Sequence, residues 1–567
     1  MMTDTARNMG KSDPAAHHLR EMCGRDAAQL RRGEGLWVLP PLLWIGQSAV
    51  VAAIFATLLQ GTPGLPWLIV MTGLFLLIGL VRVGLETHAA DRLTRLARAG
   101  VRRLRDDLVE RETRRAPHDP ARPDSAALAV LLAEKLDHLV PYITRYRPAM
   151  LRVMVVPLTI LVLAFWLSWA VGLVLLISGP LIPVFQALVG LAARDASVRQ
   201  MAEIGTLNSA LLDRLRGLVD IRLLGATERM VAGFRDRAEA LRGSTMAVLR
   251  VAFLTSAVLE LFAALGVAMV AVYVGFSLLE LIDFGYWQDP LTVGEGIFLL
   301  LLAPAFFEPM RELAAAWHDK AAALAVADEH RALQARPLRP LPGTGGAADR
   351  LTGAPAIRTR GLMVDHGAPL RFPDLDIAAG DSLAITGPSG SGKTMLLSLL
   401  AGLSAPDAGE IEVAGRPLDD TTTDGWRARL AWVPQGVHFL SGSLRHNLAP
   451  GATAEELADA LGRAHAQAVV QRLPRGLDTR LGELGTGVSG GEARRLMLAR
   501  AIHAAPDVLI ADEPTADLDP ETAQEVTQQL LALSQQGVTL IIATHDMRLA
   551  NRMTHRLELP PFGEEAG

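Results

Sequence analysis

The sequence predicts an α-helical membrane domain with six spans, followed by an α/β domain that binds phosphate through a P-loop. Six apolar stretches are each long enough to cross about 30 Å of hydrocarbon. These stretches are residues 36–59, 65–85, 149–167, 169–191, 251–276 and 291–310. A segment rich in proline and glycine follows them, and a glycine-rich loop between a buried strand and a helix comes later.

The composition fits a membrane domain joined to a globular one. Half of the 567 residues are apolar and 20% are charged. The net charge of −5 gives no indication of a nucleic-acid partner. The single cysteine, Cys23, excludes an intramolecular disulfide and a cysteine-rich metal site. Arginine and lysine residues precede the first apolar stretch in a polar lead too long for a cleavable signal peptide, so we expect the first span to be retained.

The distribution of arginine predicts that both ends of the chain are cytosolic. Residues 60–64 and 277–290 contain no Lys or Arg, whereas residues 86–148 and 192–250 are rich in Arg. The two arginine-rich segments also have a helical pattern, which predicts helices that continue out of the bilayer. The predicted domains are a cytosolic N-terminal segment, a transmembrane domain, a linker and a nucleotide-binding domain. Their bounds are 1–35, 36–335, 336–352 and 353–567.

Three of the polar residues within the predicted spans are notable. They are Gln186, Glu260 and Glu308. A charged side chain at the centre of a span costs about 2.5–3.5 kcal/mol, so each residue needs a reason to be present. One interpretation is that the three line a substrate cavity. The other is that they lie near the inner interface or pair across helices.

A phosphate-binding loop lies between a predicted strand, Ser382–Thr386, and a helix whose apolar residues begin at Met395. The loop matches G-x-x-x-x-G-K-[ST]. Its residues are Gly387, Pro388, Ser389, Gly390, Ser391, Gly392, Lys393 and Thr394. The glycines let backbone N–H groups face the phosphates, Lys393 supplies a positive charge, and Thr394 supplies a hydroxyl for Mg²⁺. The sequence therefore predicts ATP and Mg²⁺ as ligands.

Two acidic residues end a second buried strand, Val508–Glu513. Asp512 is placed to hold Mg²⁺, and Glu513 is placed to polarise the attacking water. A further apolar strand, Thr539–Thr544, delivers His545 at its end. Because the ends of such strands converge on the ligand in a doubly wound sheet, we predict Glu513 and His545 as catalytic residues.

A third motif opens an amphipathic helix. The sequence Val488-Ser489-Gly490-Gly491-Glu492 resembles the signature loop of the ABC ATPase family, which is close to Leu-Ser-Gly-Gly-Gln. The two departures, Val488 and Glu492, leave unchanged the serine and glycines that would contact phosphate.

This resemblance implies an order of further elements that the chain also follows. Gln435 corresponds to the Q-loop and would contribute to the ATP and Mg²⁺ site, Ala516–Asp519 corresponds to the D-loop, and His545 to the switch histidine. His366 stands where an aromatic residue usually stacks on adenine. In this family two ATPase domains sandwich two ATP molecules head to tail. The loop that would complete the partner's site consists of Ser489, Gly490, Gly491 and Glu492.

Within the family, residues 441–447 and 473–479 resemble exporters rather than importers, and the membrane half resembles the CydD family. The segments that carry this resemblance are 146–148, 180–190, 212–217, 271–276 and 302–309. It implies a heterodimer with a CydC-like partner in the bacterial inner membrane, a cytosolic ATPase domain, and transport needed for cytochrome bd assembly. The implied cargo is cysteine, glutathione or haem, for which His88 is a candidate iron ligand.

Two other functions stay open at this point. One is a broad lipid or drug exporter half. The other is a partner subunit that binds nucleotide but is catalytically weak, although the presence of Lys393, Asp512, Glu513 and His545 favours an active site.

Overall fold

The computed structural model describes residues 14–61, 64–182, 218–287, 289–365, 368–482, 487–516 and 518–561. These residues form two compact units. The first comprises Met1–Asp107 and Asp124–Ala335, and the second comprises Leu108–Pro123 and Arg336–Gly567. Gln186, His366 and Asp517 lie outside the described residues.

The described part of the first unit is helical. Its helices are α1 (Pro14–Met22), α2 (Ala27–Gln60), α3 (Leu65–Thr113, whose end belongs to the second unit), α4 (Ser125–Ala133), α5 (Arg147–Leu167), α6 (Trp169–Ile182), α7 (Leu218–Leu223), α8 (Thr227–Leu278) and α9 (Val293–Ala335). Short 3₁₀, α and π turns occupy Lys135–His138, Leu139–Pro141 and Tyr142–Tyr146.

The helices agree with the predicted spans. Five segments are long and apolar enough to cross a membrane, namely Gly24–Gln60, Leu65–Thr113, Ala127–Leu167, Ala257–Leu278 and Val293–Ala335. The shorter apolar helix α6 begins the predicted fourth span, whose remainder lies outside the described residues. At 1.5 Å per residue, the 52 residues of α8 extend about 78 Å. Helices of this length therefore continue well beyond the hydrocarbon, as the sequence predicted.

The membrane helices bury one apolar face and expose another. Val38, Val156, Leu175, Val270 and Phe307 come from five different helices and share one core. In contrast, none of the apolar window of α3 is buried within this chain. An exposed apolar surface of this kind is suited to contact with lipid hydrocarbon.

The described part of the second unit contains two five-stranded sheets and a small antiparallel pair of strands, Gly442–Ser443 and Arg480–Leu481. Its elements are β1 (Ile357–Asp365), β2 (Pro369–Arg371), β3 (Leu375–Ile377), β4 (Ser382–Thr386), α10 (Lys393–Leu400), β5 (Ala408–Val413), β6 (Arg416–Pro417), α11 (Thr423–Arg427), β7 (Leu430–Val433), β8 (Gly442–Ser443), α12 (Leu444–Leu448), α13 (Ala454–Arg463), α14 (Gln467–Arg472), β9 (Arg480–Leu481), α15 (Gly490–His503), β10 (Val508–Asp512), α16 (Pro520–Gln535), β11 (Thr539–Ala543), α17 (Met547–Ala550) and β12 (His555–Glu558).

The parallel sheet has the strand order β12-β4-β11-β10-β7. All residues of β4, β10 and β11 are buried, which agrees with their continuous apolar sequences. The second sheet is antiparallel, in the order β2-β1-β5-β6 with β3 also paired to β1. Because β4, β11 and β10 are neighbours and parallel, the loops after them emerge at the same edge.

A buried ion cluster ties the end of α3 to the beginning of the linker within the second unit. The Arg115 guanidinium is fully buried, donates to Glu112 at 2.7 Å and to the Pro337 carbonyl at 2.9 Å, and also pairs with Asp119. Asp119 in turn accepts a hydrogen bond from the backbone N–H of Arg339 at 3.1 Å. No local sequence pattern predicts this cluster, because its members lie up to 222 residues apart.

Burial acts to raise the pKa of Asp119, but hydrogen bonds from the backbone N–H groups of Arg339 and Ala121 and from Arg115 outweigh it and hold the pKa below its usual range. A lowered pKa in the folded state stabilises the fold above the unfolded-state pKa. This contribution is lost as the pH falls through the folded-state pKa. The Asp119 carboxylate is therefore fully effective at neutral pH.

We expect Arg115→Met to lower the free energy of unfolding of this unit by about 3–5 kcal/mol, because it leaves two buried carboxylates without their counter-charge. The matched control is Arg114→Met. The Arg114 side chain makes an exposed pair with Glu110, and such pairs contribute at most about 1 kcal/mol. Thermal unfolding of the two purified variants at neutral pH measures the difference, and equal stabilities would contradict the prediction.

Candidate functional site

The P-loop joins β4 to α10 and curls as the motif requires. Gly387, Gly390 and Gly392 have φ values of 141°, 84° and 91°, which are backbone conformations that favour glycine. A Cβ on Gly392 would also lie 2.5 Å from Leu370 Cδ2. The Ser391 hydroxyl is buried and makes no hydrogen bond with a described atom. A buried donor without a partner is costly in a folded protein, and a bound phosphate would supply its acceptor.

The Lys393 ammonium lies inside this loop. Nζ donates to the carbonyl oxygens of Gly387 at 2.8 Å and Pro388 at 3.0 Å. Burial lowers the pKa of Lys393, while the carboxylates of Glu513 and Asp512 act in the opposite direction. The loop therefore holds a positive charge with two weak, neutral partners that a phosphate can replace.

Thr394 and Asp512 come together as the sequence predicted. Thr394 Oγ1 donates to Asp512 Oδ2 at 2.7 Å, although 118 residues separate them. A hydroxyl and a carboxylate are hard oxygen ligands of the type that Mg²⁺ binds. Within the described ranges, no group of three or more His, Cys, Asp or Glu side chains forms a metal site. An ion here would accordingly depend on nucleotide phosphates and water for its other ligands.

Glu513 occupies the first position after β10 in a left-handed conformation with φ of 50°. Its backbone N–H donates to the Ala543 carbonyl at 2.9 Å, which fixes the turn beside β11. The backbone N–H of His545 donates to Glu513 Oε2 at 3.2 Å, and His545 Nε2 lies 3.1 Å from Glu513 Oε1. The carboxylate is buried and the imidazole is more than half exposed. His545 therefore lies close to both carboxylate oxygens and holds Oε2 by a hydrogen bond from its backbone.

Arg494 is a residue at this site that the sequence prediction missed. It lies in α15, two positions after the signature motif, and its guanidinium donates to the Glu513 carbonyl at 2.6 Å. It also donates to the carbonyl of Gln435, the residue two positions after β7, at 3.4 Å. Three predicted motifs are thus joined by one side chain. The signal available in the sequence was an arginine two positions after the signature loop.

The side chain of Gln435 is exposed and makes no hydrogen bond with Thr394 or Asp512. The structure thus brings two of the three predicted Mg²⁺ ligands into contact. The role of Gln435 as the third ligand stays a prediction.

The signature loop caps α15. Ser489 Oγ accepts from the Glu492 backbone N–H, and the Glu492 carboxylate accepts from the Ser489 N–H at 2.8 Å. This capping box explains why glutamate is suitable at a position where the family has glutamine. Glu492 also pairs with Arg472 of α14. Ser489 and Gly490 are exposed, so their polar groups can reach a ligand held by another chain.

Two of the predicted cavity residues, Glu260 and Glu308, contact the same arginine. Arg311 in α9 donates to Glu260 Oε1 in α8 at 3.1 Å, and its Nε lies 3.5 Å from Glu308 Oε2. Glu260 and Glu308 therefore converge on one guanidinium, which the sequence prediction did not single out. His88 is exposed on α3 and makes no hydrogen bond or ion pair with a described residue.

The chain matches the ABC transporter family over residues 370–516 and the ABC transporter transmembrane region over residues 41–310. It is 36% identical over 450 residues to the glutathione/L-cysteine transport system ATP-binding/permease protein CydD of Escherichia coli, covering 78% of this chain and 76% of that protein. It is 34% identical to the transport ATP-binding protein AarD of Providencia stuartii, covering 90% of this chain and 87% of that protein.

Two further comparisons extend this similarity. The protein CydC of Bacillus subtilis, with the same transport-system description, is 29% identical over 85% of this chain and 83% of its own length. A bacterial Atm1-family ABC exporter with ATP bound has the same fold, with a TM-score of 0.71 over 94% of this chain and 93% of that one, at 21% identity.

Proposed function

The chain belongs to the ABC exporter family, among the relatives named CydD, and from this membership we propose that it is one subunit of a heterodimer that exports cysteine or glutathione across the bacterial inner membrane. As a family member it is a multi-pass membrane protein that binds and hydrolyses ATP. The cargo is proposed from the descriptions of the CydD and CydC relatives, which name glutathione and L-cysteine. The observation that carries the catalytic part is the Glu513–His545 pair beside the P-loop.

We assign the nucleotide chemistry to this chain's own groups. The backbone N–H groups of residues 389–394 and the Lys393 ammonium bind the β- and γ-phosphates of ATP. Thr394 and Asp512 would hold Mg²⁺, which neutralises phosphate charge when bound, with Gln435 as a further ligand. The Glu513 carboxylate accepts a hydrogen bond from the attacking water and polarises it. His545 keeps that carboxylate oriented.

The proposal requires a second subunit. The chain has one P-loop and one signature loop, and in the family each ATP is enclosed by the P-loop of one domain and the signature loop of the other. The exposed Ser489 and Gly490 at the N-terminus of α15 are suited to contact phosphate in a partner's site. Relatives named CydD and CydC both resemble this chain, which supports a CydC-like partner.

The proposed domain arrangement follows the sequence boundaries, with residues 1–35 as a cytosolic segment, 36–335 as a transmembrane domain whose helices extend into the cytosol, 336–352 as a linker and 353–567 as the cytosolic ATPase domain. The arginine-rich extensions between spans support a cytosolic location for the ATPase domain and both termini. The length of α8 and α9 supports helical extensions on that side of the membrane.

We expect the purified chain alone to bind ATP but to hydrolyse it slowly, because half of each catalytic site comes from the partner. The same chain reconstituted with its CydC-like partner in lipid nanodiscs is expected to be an active ATPase that reduced glutathione or cysteine stimulates. Phosphate release with and without glutathione, cysteine or haem measures both effects.

The outcomes separate the parts of this proposal. Rapid hydrolysis by a demonstrably monomeric chain would contradict the need for a partner. Stimulation by haem alone, or by neither thiol, would contradict the proposed cargo while leaving the nucleotide chemistry intact.

A further inference from the structure

A charged triad lies between two membrane helices of the first unit. Arg311 of α9 contacts Glu260 of α8 at 3.1 Å and Glu308, one turn earlier in α9, at 3.5 Å. The Glu260 and Glu308 side chains are 63% and 59% exposed in this chain. Arg311 Nε is buried and makes no hydrogen bond with a described atom. The triad thus has carboxylate acceptors that are exposed in this chain, while Arg311 Nε is buried beside Glu308.

The two helices place the triad at a common depth. Glu260 lies 18 residues before Leu278, where α8 ends, and Arg311 lies 18 residues after Val293, where α9 begins. At 1.5 Å per residue both positions are about 27 Å from the ends that the topology predicts to be outside. The hydrocarbon is about 30 Å thick. The triad therefore lies close to the inner face of the membrane, where cargo from the cytosol would enter.

The neighbouring Arg152–Glu312 ion pair provides a comparison, because its arginine is enclosed by protein groups. Arg152 is 6% exposed, donates twice to Glu312 at 2.8 and 2.9 Å, donates to the Trp37 carbonyl at 3.0 Å, and stacks on the Trp37 ring. Protein groups therefore accept the hydrogen bonds of the Arg152 guanidinium and cover one of its faces. Arg311 is one position before Glu312 in sequence, yet its acidic neighbours are mostly exposed.

Exposed charges at this depth are not explained by stability. Exposed ion pairs contribute at most about 1 kcal/mol, and charged side chains near the boundary of the hydrocarbon can reach the interface. Such residues within spans usually face a water-filled path or a partner helix. The triad carries one positive and two negative charges, so it offers a guanidinium fork for a carboxylate and two carboxylates for a cation.

We propose that Arg311, Glu260 and Glu308 form a subsite for the α-amino-acid group of the cargo, with Arg311 binding its carboxylate and the two glutamates binding its ammonium. This inference rests on the proposed thiol export, because cysteine and glutathione share one free α-ammonium beside an α-carboxylate. Haem has carboxylates but no ammonium group, so the two glutamates give it no favourable contact. The subsite recognises the zwitterion rather than the thiol.

The test uses the reconstituted heterodimer and three probes that differ at the α-carbon. Cysteine carries both charges, N-acetylcysteine lacks the ammonium, and cysteamine lacks the carboxylate. For the unaltered pair, we expect half-maximal ATPase stimulation at the lowest concentration with cysteine. Each truncated probe should require at least about tenfold more, the equivalent of one hydrogen bond to a charged group.

Substitutions then test which residues bind the carboxylate and which bind the ammonium of the cargo. Arg311→Gln should raise the half-maximal cysteine concentration at least about tenfold and should abolish the preference for cysteine over cysteamine. The double variant Glu260→Gln and Glu308→Gln should abolish the preference for cysteine over N-acetylcysteine. Arg311→Lys, which keeps the charge but not the fork, should restore part of the preference over cysteamine. Each stimulation is measured relative to the same variant's rate without cargo.

Glu239→Gln is the matched control, because Glu239 forms an exposed pair with Arg242 on the same helix α8. It should respond to all three probes as the unaltered pair does. If the triad variants also keep the unaltered preferences, the subsite is wrong while thiol export stands. If the unaltered pair responds to neither cysteine nor glutathione, the proposed cargo itself is wrong.

Discussion

Glu513→Gln is expected to slow ATP hydrolysis at its own site by about 10²- to 10⁴-fold, the range typical of a positioned general base. The glutamine keeps the shape of the side chain but lacks the negative charge that polarises the attacking water. Phosphoryl transfer leaves the protein mainly positioning and electrostatic work, so the loss of this one charge has a large effect. The buried position of Glu513 strengthens the effect, because water does not screen it.

ATP binding should survive this substitution. In the proposed site Lys393 and the loop amides hold the phosphates, and Thr394 contacts Asp512 rather than Glu513. The backbone contacts of Glu513 with Ala543 and Arg494 do not involve its carboxylate, so the turn itself should persist. We therefore expect the variant to accumulate in an ATP-bound, closed pair that hydrolyses slowly.

The measurement is single-turnover hydrolysis by the reconstituted pair, together with binding of a fluorescent ATP analogue. Glu558→Gln is the control, since Glu558 ends β12 of the same sheet but is 71% exposed and pairs only with Arg556 among described residues. Because the two sites of a heterodimer need not be equivalent, the comparison is made with the partner's corresponding acid intact and again with it altered. An unchanged rate in both backgrounds would favour the catalytically weak partner.

The sequence predicted those parts of the site that depend on local patterns. The strand, loop and helix around Lys393 follow from a short motif in its required context, and the buried strands before Asp512 and His545 follow from continuous apolar runs. The parallel sheet then brings these segments together, since β4, β11 and β10 are neighbours. Even the long-range contact of Thr394 with Asp512 was predictable in this way.

Contacts that have no local pattern were not predictable. Arg494 reaches the carbonyl of Gln435, 59 residues away, and nothing in either segment indicates that pairing. The left-handed backbone of Glu513 results from its position in the turn beside β11, although glutamate has no preference for it. Arg311 was likewise missed because its significance comes from Glu260, 51 residues earlier on another helix. Both glutamates were predicted, but their shared counter-charge needed the packing of α8 against α9.

Lys393→Ala is expected to weaken ATP binding itself, in contrast to Glu513→Gln. The side chain is buried in the P-loop, and its ammonium donates to the Gly387 and Pro388 carbonyls, two neutral acceptors that a phosphate can replace. A charge-assisted hydrogen bond is worth about 1.5–3 kcal/mol, so losing a single contact to phosphate corresponds to about 10- to 150-fold in Kd. Hydrolysis should fall at least in proportion, because the same charge neutralises the phosphates during transfer.

Lys393→Met separates charge from packing, since methionine keeps most of the buried aliphatic length. Both variants should lose ATP affinity to a similar extent and keep the thermal stability of the unaltered chain without nucleotide. Added ATP should raise the unfolding temperature of Glu513→Gln but not of either Lys393 variant, because only a ligand that binds the folded state stabilises it. If Lys393→Met binds ATP as the unaltered chain does, the loop amides alone hold the nucleotide. The positive charge would then matter only during phosphoryl transfer, where it would still distinguish the Lys393 variants from the unaltered chain in single-turnover hydrolysis.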